Sequence, residues 1–151
     1  MINLECEVAP LLRKFMYLAN IMVAGYVACF ALFFPQQAQS ELFYGNSLTD
    51  DGSTIAVMIV GCHWMAIVII SMLGLFFPLQ CSIVFVHQLI YKSLYLLLVA
   101  LPAMWMKREV PQPMTTLFAI WVLLLPLVIP WHYLFHSEDN ISAKPVSTKQ
   151  E

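Results

Sequence analysis

Four apolar stretches, at about residues 15–34, 54–77, 82–104 and 114–135, constrain this chain more than any other feature of it. Crossing about 30 Å of hydrocarbon takes about twenty helical residues, and each stretch is that long. Composition agrees: 61% of the residues are hydrophobic, 11% are charged, and the mean hydropathy is +0.79. A soluble domain carries about 25% charged residues, so this chain lacks the charge to face water all round. The expectation is an all-α integral membrane protein with one domain over residues 1–136 and a flexible polar tail over 137–151. Short connections force neighbouring helices to run antiparallel, which gives an up-down-up-down four-helix transmembrane bundle.

Punctuation places the ends. LFFP occurs twice, at 32–35 and 75–78, and each proline stops a helix. Pro126 and Pro130 should kink the fourth stretch. The longest connection, about residues 36–53, reads as a loop that holds Glu41, Asp50 and Asp51 and no Lys or Arg. The positive-inside rule puts it outside, with Arg13-Lys14 and the tail's Lys144 and Lys149 in the cytoplasm, although Lys107 and Arg108 then fall outside. A bacterial inner membrane protein with both termini cytoplasmic is the expectation. Trp105 and Trp131-His132-Tyr133 suit the headgroup layer. The triplet Asn140-Ile141-Ser142 falls in the cytoplasmic tail, where it would not be glycosylated. No basic stripe calls for nucleic acid.

The third stretch contains FVHQLIYKSLYLLL, which sets Lys92 near mid-span. A lysine at that depth costs roughly 2.5 to 3.5 kcal/mol on insertion scales. At 100° per residue, Cys81, Gln88, Tyr91, Lys92, Tyr95 and Val99 share one arc, with His87 beside it and Ile83, Val86, Ile90 and Leu97 opposite. That polar arc should face the bundle interior. No Asp or Glu lies inside any span, so Lys92 has no carboxylate at its own depth. It snorkels while bonded to Gln88, Tyr91 or Tyr95, is neutral, meets an anionic or carbonyl-bearing ligand such as a lipid headgroup or quinone, or pairs with an acid on another protein.

His63 lies mid-span in the second stretch, on a face with Ala56, Ile59, Ile67, Ile70 and Gly74 whose small residues would admit a neighbouring helix. It is a hydrogen-bonded interface histidine, a proton relay or an axial ligand. Counting rise from the PLQC turn puts His63 some 15 Å from the level of His87, so two straight adjacent helices could not bring both to one metal. Asn20 should bond across helices, beside the small residues Ala24, Gly25 and Ala28. His132 and His136 are spaced i, i+4 but lack the glutamate of H-E-x-x-H, and read as interfacial side chains. The four cysteines have no ligand spacing and read as packing residues.

Absences narrow the function. A disulfide-generating quinone reductase needs a cysteine pair at the membrane edge, a small multidrug antiporter needs an acid in its first helix, and neither is present. The arginine, asparagine and glutamate set of the four-helix eicosanoid and glutathione enzymes is missing from the second stretch, and the loop cysteines of claudins and tetraspanins are missing too. What is left, a first helix ending at Phe-Pro, a loop under twenty residues, a small-residue second helix, a short turn and QLIYKSLYLLL, resembles the small DoxX-like bacterial membrane proteins. That resemblance implies the fold more than an activity. The expected function is a non-enzymatic accessory or interaction subunit, with Gln88, Tyr91, Lys92, Tyr95, His87 and His63 facing a membrane protein partner, a second copy or lipid. A small oligomeric proton-coupled transporter is the alternative, and a quinone- or haem-binding redox component a third; no motif demands a cofactor.

Overall fold

The computed structural model describes residues 4–42 and 51–136. The middle of the long connection, with Asp50, and the tail with Asn140-Ile141-Ser142, Lys144 and Lys149 lie outside the described residues. The described residues are helical, without a strand among them: α1 Leu4–Phe33, α2 Pro35–Glu41, α3 Asp51–Phe76, a 3₁₀ turn Gln80–Ser82, α4 Ile83–Tyr95, a π-helical turn Leu96–Ala100, α5 Leu101–Trp105, α6 Gln112–Val128 and α7 Trp131–His136. Three of these helical runs are long and apolar enough to cross a membrane, over Pro10–Phe33, Gly52–Phe76 and Gln80–Trp105.

Three boundaries differ from expectation. The first helix begins at Leu4 and passes through Pro10. The long connection opens with α2, because Pro35 both ends α1 and takes the first position of a new helix, where its missing N–H costs nothing. The fourth apolar stretch is divided: α6 passes through Pro126 but stops at Val128, and Pro130 separates it from α7. Pro130 has no N–H to offer the carbonyl of Pro126. The Trp131 indole N–H donates to that carbonyl instead, at 3.0 Å.

The helices pack as two pairs, α1 along α3 and α4 along α6. The buried face of α3 runs Val57, Gly61, Trp64, Val68 and Ser71, at spacings of four and three. Gly61 lets α1 come close: a Cβ there would lie 3.0 Å from Leu32 Cγ and 3.1 Å from the Ala31 Cβ. Gly74 is more demanding, since a Cβ would overlap the Tyr17 ring. Tyr17 is fully buried, packs against the tilted Phe85 ring at 4.5 Å between centroids and donates its hydroxyl to the Pro78 carbonyl at 2.9 Å. One core forms around Met16, Tyr17, Phe85, Leu125 and Val128, and a second around Ala28, Trp64 and Phe118.

Arg13, expected as a cytoplasmic marker, is buried, and its Nε donates to the Val128 carbonyl at 3.2 Å. The guanidinium caps the end of α6 left open by the break at Pro130. The α5 end closes in a Schellman arrangement, with Arg108 N–H on the Ala103 carbonyl at 2.8 Å and Lys107 N–H on Met104 at 3.1 Å. Lys107 takes the left-handed position that arrangement requires, at φ 55°.

Candidate functional site

The arc on α4 divides into an inner and an outer part. Gln88 and Lys92 point inward and are 1% and 5% exposed. Lys92 Nζ donates to Gln88 Oε1 at 2.7 Å, one helical turn back toward the 77–82 connection. It also lies over three aromatic rings, 5.5 Å from Tyr91, 5.4 Å from Phe118 and 5.1 Å from Trp121. Such faces attract a cation through the ring quadrupole, and the attraction grows when water is excluded. Two of the three rings come from α6. They were not among the expected partners of Lys92, because a cation–π contact between helices leaves no spacing signal in either.

Asn20 sits in the same interior. Its Nδ2 donates to Ser71 Oγ at 3.3 Å, and its Oδ1 accepts from Trp121 Nε1 at 3.3 Å. The interhelical role expected for Asn20 is therefore observed, and it ties α1, α3 and α6 together at the level of the lysine. Tyr95 does not reach Lys92; it shares a hydrogen bond with Thr115 at 3.2 Å. Val99 leaves the arc and is exposed, while Ala100 is buried in its place. The π turn causes this, since its extra residue advances the register by one position before Pro102, whose missing N–H it accommodates.

The outer part holds the largest correction. His63 and His87 are not separated in depth: their Nε2 atoms are 3.3 Å apart and their ring centroids 5.0 Å, at 60°. The counted offset assumed two antiparallel axes level at the turn. In fact α3 follows α1 and α4 follows α6, and α3 and α4 touch only briefly, so the turn does not set their relative height. Tyr91 completes the cluster, its ring 5.5 Å from each imidazole. Both histidines are exposed on the outer surface. On α3, Ile67 and Gly74 are buried, Gly74 against Tyr17 of α1, but Ala56, Ile59 and Ile70 are exposed with His63, so α1 docks mainly on the neighbouring face of that helix. Among the described residues no group of three or more His, Cys, Asp and Glu converges as a metal site.

No family model, curated protein or solved structure matches the chain. The chemistry of the site is read from its own geometry: an enclosed, donor-rich interior around Lys92, and an outward imidazole pair around His63 and His87.

Proposed function

We propose that this protein is a non-enzymatic accessory subunit of a bacterial inner membrane, a four-span up-down-up-down bundle with cytoplasmic termini that acts by lateral association. The observation that supports this is the outward His63–His87 pair. Both residues lie well inside helices long enough to span, and polar side chains at hydrocarbon depth are costly unless protein covers them. Lys92 plays the opposite part. Its partners come from its own chain, so the inner half of the arc builds the subunit and the outer half meets a neighbour. DoxX-like membership fits this role, as a proposal resting on topology.

Purification in mild detergent, followed by mass spectrometry of proteins and lipids, tests the reading. The wild type should carry a defined protein partner or form a homo-oligomer, and His63→Leu/His87→Leu should lose it while keeping the same helical content. A wild type recovered as a monomer with lipid alone sinks the proposal.

One observation favours a second reading. Two imidazole nitrogens 3.3 Å apart can hand a proton between them, as a small proton-coupled carrier would need. Substrate flux in vesicles that depends on a pH gradient and disappears in His63→Leu would support it. The redox reading is less well served. The space beside Lys92 takes one water-sized occupant and no quinone ring, and two imidazoles in contact leave no slot for a haem, whose axial ligands approach from opposite faces.

A further inference from the structure

The interior around Lys92 has more donors than acceptors. Lys92 Nζ carries three N–H bonds and gives one to Gln88 Oε1. The Gln88 Nε2 amide is buried and has no partner at all. Asn20 has its carbonyl oxygen engaged by Trp121 and one amide hydrogen on Ser71. These three residues line one small cavity with Tyr91, Phe118 and Trp121. Each of the three is more than nine-tenths buried.

Buried charges are ordinarily paired, and a buried donor without an acceptor costs about 1–3 kcal/mol. No carboxylate lines this cavity, and the sequence has none within a span. The three ring faces offset part of the lysine's charge but accept no hydrogen bond from Gln88 Nε2. What is missing is an acceptor, and a negative one serves both needs. Size narrows the class: the space open to the centre of a water is about 10 Å³, which admits a single water or a monatomic ion. A phosphate, a carboxylate, a lipid headgroup or a quinone is too large.

We propose that the cavity bounded by Asn20, Gln88 and Lys92 binds a single halide ion, chloride under cellular conditions, which accepts hydrogen bonds from Gln88 Nε2 and Lys92 Nζ. A water would add two hydrogens of its own to an interior whose amide oxygens already accept from Lys92 and Trp121. A halide has no hydrogen to place and supplies a counter-charge that none of the lining residues offers. This ion sits inside the subunit, and its presence does not depend on what the outward histidines contact.

The test uses the full chain in detergent micelles, unfolded thermally in sodium chloride, bromide or gluconate at matched ionic strength, with tryptophan fluorescence as the readout because Trp121 lines the cavity. The wild type should show a saturable rise in midpoint with chloride and bromide, by about 4 °C at about ten times the half-saturating concentration. Lys92→Met should respond identically to all three salts. If Lys92→Met does not fold, Gln88→Leu serves, with half-saturation moved at least about tenfold upward. Anomalous scattering from bromide-grown crystals of the wild type should give a peak beside Gln88 Nε2. Equal midpoints in halide and gluconate, or a cavity holding only water in those crystals, overturns the proposal.

Discussion

At the scale of single residues, small changes of backbone and side chain carry most of the specificity. Gly74 exists because Tyr17 occupies the space of its Cβ, and Tyr17 cannot swing away without losing Phe85 and the Pro78 carbonyl. Gly74→Ala should therefore destabilise the protein by about 2 kcal/mol, read as a lowered unfolding midpoint in detergent. Lys107 is the reverse case. Its left-handed backbone costs a side-chain-bearing residue about 1 kcal/mol, and glycine has no such cost. Lys107→Gly should raise stability by about that amount without altering the helices. Lys92 was legible as an anomaly, and Gln88 as its neighbour one turn away, since both facts are local to one helix. Phe118 and Trp121 were not legible as its partners, because their approach depends on how α6 sits against α4.

At the scale of elements, the prolines show how one residue type gives different outcomes. Pro35 ends one helix and opens another, Pro102 is absorbed by a π turn, Pro126 is carried within α6, and Pro130 breaks the chain into α6 and α7. The difference lies in who satisfies the carbonyl left without a donor. At Pro130 that task falls to the Trp131 indole, so Trp131→Phe should cost about 1 kcal/mol. In a Pro130→Ala background the restored N–H takes over, and Trp131→Phe should then be nearly silent. A double-mutant cycle on unfolding midpoints measures this directly; a full penalty for Trp131→Phe in both backgrounds would refute it. The faces of α3 were hard to assign from sequence for a related reason. That helix is apolar nearly all round, so its periodicity is weak, and the small-residue face with Gly74 was placed with His63 when the tight face instead runs through Gly61 and Ser71.

At the scale of the whole molecule, the buried Lys92 and the exposed His87 share one helix, α4, on different faces, and His63 reaches His87 from α3. The inner arc meets α6 through Phe118 and Trp121, and Asn20 ties α1, α3 and α6 beside it; the histidine pair is exposed. The amino-acid sequence by itself determined the helical class, three of the four apolar spans expected from it, the absence of any carboxylate within a span, and the inward turn of Gln88 and Lys92. These follow from hydropathy, length and a 100° rotation per residue, which act within one segment. Tertiary structure alone decided that α1 pairs with α3 and α4 with α6, that Arg13 caps α6, and that His63 meets His87. Those outcomes depend on the relative height and tilt of helix axes. Side-chain packing between distant segments sets both, so no count along the chain from a turn recovers them.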